Sequence, residues 1–332
     1  MHVAKILRPV AALAAGLALA VGAGELILSL TPSLIDNPPG QFRRSRTRAF
    51  EHEPNFRGRD RFGSEIRINS YGLREREFDH KKPSGTVRIL VLGDSVTFGD
   101  GVAAEEAFPR RLEELLALKL GSAQVLNAGV RGYNTYQELR LLEETGAALE
   151  PDVVLLFYTT NDAEPFSKQG GLIDPRFGWA VRTKDLIKQH SYLYAFFRKN
   201  LEVLRQNASP EKFMETYNDQ FDPKSPGWIA SYESLKEMKA LTDAHGARLV
   251  LAVYPRLEWT AEGYPPASGR IHGQILDAGR SLGIETIDLL APLMRGAPDA
   301  SAIKITPSDT FHPNPKGHQL IADILGSALE AS

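Results

Sequence analysis

Gly93-Asp94-Ser95 follows the apolar run Val87–Leu92, and Asp309-Thr310-Phe311-His312 lies near the C-terminus. Together the two motifs supply a hydroxyl nucleophile, an imidazole base and a carboxylate, the groups that serine acyl chemistry requires. A serine hydroxyl is a weak nucleophile until an imidazole within hydrogen-bond reach takes its proton. A carboxylate on the other ring nitrogen fixes the tautomer and stabilises the imidazolium. The residue types therefore point to hydrolysis or transfer of an ester's acyl group, without saying which ester.

The elements that must carry these groups are legible from residue 86 onward. Val87–Leu92 is a continuous apolar run, as a buried parallel strand requires. Phe108, Leu112, Leu115 and Leu116 then share one helical face. Gln124–Asn127 reads as a second strand, Tyr136–Gly146 as a helix closed by glycine, and Asp152–Tyr158 as a third strand. A helix over about Ile229–His245, stopped by Gly246, precedes a strand at Arg248–Tyr254. Ile271, Ile275, Ala278 and Leu282 mark another helix, and Ile284–Asp288 the next strand. Asn314 and Pro315 are the N-cap and first position of the last helix. Such alternation predicts an α/β fold, a parallel sheet covered by helices on both faces.

Composition bounds the rest. The chain has 332 residues, no cysteine and a formal net charge of -2. Disulfides, thiolate nucleophiles and cysteine-ligated metals are excluded, and nothing favours nucleic acid. His52, His80, His190, His245 and His272 lack metal-ligand spacing, so neither metal nor cofactor is expected.

Residues 9–30 form the one long apolar stretch, preceded by Lys5 and Arg8. About 20 apolar residues span a bilayer as a helix. Ala18-Leu19-Ala20 offers a signal-peptide cleavage pattern, but the apolar run continues past it, which favours an uncleaved anchor over residues 1–30. Positive charge followed by a long apolar run is also the export pattern, which places the body outside the cytoplasm. Residues 31–85 read as a linker, rich in proline and in Arg43, Arg44, Arg46 and Arg48, followed by a small β-rich extension in which Glu65–Tyr71 alternates weakly. The arginines read as a solvated linker more readily than as a headgroup or acidic-polysaccharide site. Within the main domain, 86–332, an insertion at 163–226 carries Phe166, Phe177, Trp179, Tyr192, Tyr194, Phe196, Phe197, Phe213, Tyr217 and Phe221. A helix over roughly 186–206 is expected there, and the rings either wall the cleft or simply pack the insertion down.

In an open parallel sheet, ligands bind beyond the carboxyl ends of the strands. Ser95, Gly129 and Asn161-Asp162 all fall just after strands, and Asp309 and His312 precede the last helix. Gly93-Asp94-Ser95-Val96-Thr97-Phe98-Gly99, Asn127-Ala128-Gly129, Thr160-Asn161-Asp162 and Asp309-Thr310-Phe311-His312-Pro313, in this order over residues 87–332, resemble the blocks of the SGNH (GDSL-type) hydrolase superfamily. The resemblance implies a flavodoxin-like, three-layer αβα fold with a five-stranded parallel sheet. It implies Ser95 as nucleophile, His312 as base and Asp309 as its orienter. By the same carry-over, the Ser95 and Gly129 N–H groups and the Asn161 amide form the oxyanion hole. Val96 stands where the family has leucine, a minor change. Thr159 stands where it has glycine, which would narrow the site floor or re-aim the loop carrying Asn161.

Asp94 is expected to bond nearby amides, and Asp162 to order the loop around Asn161. His318 reads as a packed or capping histidine, and Asn207-Ala208-Ser209 as a weak glycosylation pattern. The anchor and Ile68-Asn69-Ser70-Tyr71-Gly72-Leu73-Arg74 also resemble membrane-anchored bacterial SGNH-like proteins, some of which accompany surface-polysaccharide synthesis. That resemblance implies small-molecule or glycan esters, including O-acetyl groups, as substrates, with protein partners undefined. Two alternatives stay open: O-acyl transfer to a polysaccharide by the same triad, and non-catalytic glycan binding on the same scaffold.

Overall fold

The structure, a computed structural model, describes residues 2–165, 183, 186–208, 215 and 217–330. Phe166, Phe177, Trp179, Phe213 and Ser209 lie outside the described residues. Helix α1 (His2–Ser29) contains the apolar stretch; Pro9–Ser29 is long and apolar enough to cross a membrane, and it is exposed over most of its length, with Leu28 buried near its end. Two antiparallel ribbons follow, β1 (Phe42–Arg44) with β2 (Phe50–His52) and β3 (Arg57–Arg59) with β4 (Glu65–Arg67).

The central sheet comprises β5 (Val87–Gly93), β6 (Ala123–Asn127), β7 (Val153–Tyr158), β8 (Arg248–Val253) and β9 (Glu285–Asp288). It is five-stranded, in the order β6-β5-β7-β8-β9, and every pairing is parallel. This is the three-layer α/β architecture that the strand–helix alternation and the resemblance led us to expect. Side chains of a strand alternate between faces, and both faces are covered. On one side Leu90, Leu92, Leu126, Leu156 and Leu251 pack with Leu139 of α4 (Thr135–Leu141), Leu235 and Met238 of the helix Pro226–Ala244, and Ile271 and Ile275 of the helix Pro266–Ser281. On the other, Ile89, Val91, Val125, Leu155, Phe157 and Val250 meet Phe108, Leu112 and Leu116 of α3 (Phe108–Leu120) and Ile321 and Leu325 of the C-terminal helix Pro315–Glu330. Burying each such side chain stabilises the fold by about 1.5–3 kcal/mol.

Three local expectations are revised. The helix read at Tyr136–Gly146 is regular only as α4, where Asn134 and Gln137 cap one another reciprocally. It then widens into a π-type turn over Leu142–Gly146, where Gly146 presses on the sheet: a Cβ there would stand 2.6 Å from Leu90 Cδ2. The insertion helix is α5 (Tyr192–Ala208), separated from a helical stretch at 186–190 by Ser191. The segment 31–50 is no free linker. Ile35 and Gln41 are buried, and Arg48 is buried in ion pairs with Glu51 and Glu144 and donates to Tyr133 Oη at 3.3 Å. Sequence composition marks such a stretch as solvated; partners supplied by α4 and its neighbours draw it onto the body.

Candidate active site

The end of β5 sets the first group. Gly93 turns the chain so sharply that a Cβ there would lie 2.1 Å from Thr97 Oγ1. Asp94 caps the four-residue helix α2 (Ser95–Phe98), its Oδ1 accepting from Val96 N at 2.9 Å. Ser95 occupies the first helical position, so its N–H is not consumed by the helix. The hydroxyl stands at the carboxyl edge of the sheet, partly exposed.

The loop before the C-terminal helix delivers the other two groups. Asp309 Oδ1 accepts from Phe311 N and His312 N, both at 2.9 Å, so one carboxylate oxygen shapes the loop. The other faces His312 Nδ1 at 2.9 Å, and His312 Nε2 faces Ser95 Oγ at 2.8 Å. Burial pushes the imidazole's pKa down, but the Asp309 hydrogen bond and the charges of Asp309, Asp100 and Asp94 outweigh it, so His312 titrates above its ordinary value. Burial likewise raises the Asp309 carboxyl, yet its bonds to His312 and Phe311 hold it down at about 2. The geometry suits a proton relay, in which a neutral imidazole with its proton on Nδ1, toward the carboxylate, would leave Nε2 open to the serine proton.

Sequence reading missed a second layer of charges around this relay. Asp100 Oδ2 lies 3.9 Å from His312 Nε2, and Asp100 forms a buried ion pair with Arg131. Arg131 also donates to the Asp36 carbonyl at 2.8 Å and to Asn37 Oδ1 at 3.1 Å. The Asp36 side chain in turn takes Arg61 Nη1 at 3.1 Å, and Arg61 Nη2 lies 3.6 Å from Asp309 Oδ2. The segment just beyond α1 is thus tied to both ends of the relay. The sequence signal available was the position of Asp100, directly after the motif Gly93–Gly99.

Because the base must be neutral to accept a proton, kcat/KM should fall as pH drops through the raised pKa of His312. Asp100→Asn removes a charge that favours the imidazolium, and leaves Arg131 uncompensated nearby. Both effects act in one direction, so the acid limb of the pH–rate profile should move to lower pH. A profile of the variant, with thermal melting as a fold control, checks this; an unmoved or upward-shifted limb would remove Asp100 from the account.

At the end of β7 sits the candidate oxyanion side. Asn161 Nδ2 donates one hydrogen to Tyr133 O at 3.1 Å, which leaves its second N–H for a substrate oxygen. Its Oδ1 is held by the Thr159 hydroxyl, which also lies 2.9 Å from Asp94 Oδ2. The threonine that replaces the expected glycine therefore bridges the Ser95 turn to Asn161. Asp162 binds Thr159 N at 2.6 Å and Thr135 Oγ1 at 3.0 Å, an internal support for that loop. Burial, and then the Asp94 charge, push the Asp162 carboxyl up to about 7; burial and Asp162 raise its buried neighbour Glu138 as well. Gly129 follows β6. Its N–H donates to Asn127 Oδ1 at 3.0 Å, and a Cβ there would lie 2.3 Å from Phe98 N. The close approach that demands glycine is to the backbone of α2, and the Asn127 bond must yield for this N–H to meet an oxyanion.

If the Asn161 amide binds a developing oxyanion, Asn161→Ala should lower kcat by about 10²–10³ with KM little changed. Thr159→Val should lower kcat less, since it loosens the amide without removing it. Steady-state kinetics on a chromogenic ester measures both, and an undiminished kcat in Asn161→Ala would exclude the amide from the oxyanion site.

The remaining singled-out residues fall elsewhere. His318 is buried, its Nδ1 accepting from Phe108 N at 3.2 Å, and burial holds its pKa down at about 3. His52 is buried against Gly72 O, and His272 pairs with Asp288 at 2.8 Å. Of the insertion's rings, Phe221 packs on Trp228 in the core, whereas Tyr217 reaches the site loops, its Oη 3.1 Å from Thr160 Oγ1 and its ring 5.9 Å from that of Phe311. One wall beside His312 is therefore aromatic.

Residues 91–320 match the family model of the GDSL-like lipase/acylhydrolase family. The chain belongs to this family and is an ester hydrolase of the SGNH type. No curated protein matches it in sequence. Among solved structures it is similar to LAE5, an alpha/beta hydrolase enzyme from the metagenome of Lake Arreo, Spain, at 16% identity and a TM-score of 0.48, over 76% of this chain and 97% of that one. It is also similar to an acetylxylan esterase from Geobacillus stearothermophilus, at 16% identity and a TM-score of 0.46, over 72% of this chain and 92% of that one. A two-domain esterase active on acetylated mannans aligns at 14% identity and a TM-score of 0.45, over 74% of this chain and 49% of that one.

Proposed function

We propose that this chain is a membrane-tethered, extracytoplasmic serine esterase that cleaves carboxylic esters, with O-acetyl groups of cell-surface glycans as its natural substrates. The observation that carries the catalytic part is the unbroken relay from Asp309 Oδ2 through His312 to Ser95 Oγ, with links of 2.9 and 2.8 Å. Ser95 Oγ attacks the ester carbonyl as His312 Nε2 takes its proton, and the carbonyl π-electrons move onto oxygen. The Ser95 N–H, the Asn161 amide and the Gly129 N–H stabilise that oxyanion. Collapse expels the alcohol, protonated by His312, and leaves an acyl-Ser95 ester. Water, deprotonated by His312, then releases the carboxylic acid and restores the hydroxyl.

The glycan reading is supported by the apolar helix α1 read as an anchor and by the motif at Ile68–Arg74, and the wall beside His312 combines the rings of Tyr217 and Phe311 with the Arg256 guanidinium that lies over both. Treating the detergent-solubilised full chain with a fluorophosphonate, and mapping the adduct by mass spectrometry, tests the nucleophile without knowledge of the substrate. Labelling at Ser95 that disappears in His312→Ala is expected; a folded but unlabelled protein would reject the mechanism. Acetate release from O-acetylated polysaccharide, compared with longer-chain nitrophenyl esters, tests the substrate class.

A further inference from the structure

We propose that α5, the insertion helix, is a membrane-interface helix that seats the catalytic domain on the lipid bilayer; the inference rests on the tethered reading of α1. It exposes an apolar stripe. Phe197, Leu201 and Leu204, spaced i, i+4 and i+7, are 65%, 50% and 66% exposed. Leu186 and Ile187, in the preceding helical stretch, are exposed as well. A soluble protein rarely leaves such a stripe uncovered. Asn200, one of the polar residues between them, turns its amide onto the Phe196 carbonyl at 2.8 Å, and Arg198 is exposed beside Phe197.

What covers the stripe follows from where α5 joins α1. Leu193 packs on Gly24, whose added Cβ would meet Leu193 Cδ2 at 3.2 Å. Glu25, the one acid in the apolar stretch, accepts from Ser191 Oγ and Tyr192 N, both at 2.6 Å, and from Leu193 N at 3.4 Å. It thereby satisfies the open amides that begin α5, and a carboxylate that would be costly in hydrocarbon is paired there. The 21 residues Pro9–Ser29 rise about 31 Å as a helix, close to the thickness of a bilayer core of roughly 30 Å. Gly24 lies about 7 Å short of the end of that span. Helix α5 therefore begins at the depth, about 5–10 Å into the headgroup–acyl boundary, where amphipathic interfacial helices lie. Leu26 and Ile27 of α1 and Leu30 just after it, near the same depth, are exposed and apolar as well.

The inner side of α5 faces the enzyme. Lys199 Nζ lies 3.4 Å from Asp36 Oδ1, the carboxylate that holds Arg61 against Asp309. Seating α5 in the interface thus holds the catalytic domain at a fixed height and tilt over the leaflet, with the relay a few side chains from the lipid.

The absence of cysteine makes the test direct, because each introduced thiol is the only one in the chain. Single-cysteine variants of the full chain along α5, including Phe197→Cys, Leu201→Cys and Leu204→Cys, carry a nitroxide in nanodiscs of phosphatidylcholine and phosphatidylglycerol. Collision rates with oxygen, which partitions into lipid, and with a water-soluble nickel chelate report depth. Leu13→Cys and Leu17→Cys report on α1, and ester turnover of every variant reports on the active site. The expected result is an oxygen-to-chelate ratio that oscillates along α5 with the helical period and peaks at 197, 201 and 204. Chelate-accessible labels at those positions, with lipid-exposed labels at 13 and 17, would overturn the docking while sparing the tether. Low collision rates with both reagents would mean a protein surface, a second copy or a partner, covers the stripe, and would overturn it too. Labels at 13 and 17 outside lipid would remove the tether and the docking together, with turnover showing separately whether the catalytic reading survives.

Discussion

Ser95→Ala should abolish measurable ester turnover, with a loss in kcat of about 10⁴–10⁶, while the protein melts as the parent does. The size follows from what the hydroxyl does in the proposed course. Without Oγ no acyl-enzyme forms, and the residual rate comes only from the oxyanion donors and substrate binding. Stability is spared because Ser95 Oγ contacts His312 and no element of the core depends on it. His312→Ala should cost nearly as much, since an unassisted hydroxyl keeps its proton. The double variant should be no worse than the worse single one, because the two groups act as one unit. Additive losses would mean that serine and imidazole serve different steps, and full activity in Ser95→Ala would end the serine mechanism for this chain.

Asp309→Asn should lower kcat by about 10⁴. The substitution is instructive because it keeps most of the loop. An amide oxygen in place of Oδ1 still accepts from Phe311 N and His312 N, the bonds of 2.9 Å that shape the turn. An amide NH₂ in place of Oδ2 cannot accept from Nδ1, so the imidazole moves its proton to Nε2 and presents a donor to Ser95. The serine proton then has nowhere to go. Kinetics of the variant beside its melting curve separates lost tautomer control from lost structure. A loss smaller than about ten-fold would show that another group orients the base. Asp100 cannot substitute, because it faces Nε2 and not Nδ1.

The charges around Asp309 and His312 link the candidate site to the segment that follows α1. Asp36, seven residues beyond the end of α1, takes Arg61, Lys199 and, through its carbonyl, Arg131. These partners come from the first β-ribbons, from α5 and from the loop after β6. Residues 35–41 are accordingly part of the catalytic body, and a cut made within them would strip support from Asp309 and Asp100.

Much of this was written in local patterns. Unbroken apolar runs identify the buried parallel strands, since both sheet faces are covered; helix periodicity and caps such as Asn134 and Ser225 mark most helices. The site motifs stand at strand ends because side chains there meet open space beyond the sheet. The order of strands around β5 and β7 was legible only through the family resemblance.

By itself, then, the amino-acid sequence determined the class of chemistry, the α/β architecture and the groups that meet at Ser95, because each is encoded within a few residues of chain. Only the tertiary structure decided that Thr159 braces Asn161, that Gly129 is glycine for the sake of Phe98, and that Glu25 caps α5. It alone decided that Asp36 and Arg61, 25 residues apart, join Asp309. Such contacts leave no periodic trace. They exist because packing brings distant charges and amides out of water together, and a buried polar group must find its partner wherever the fold has placed one.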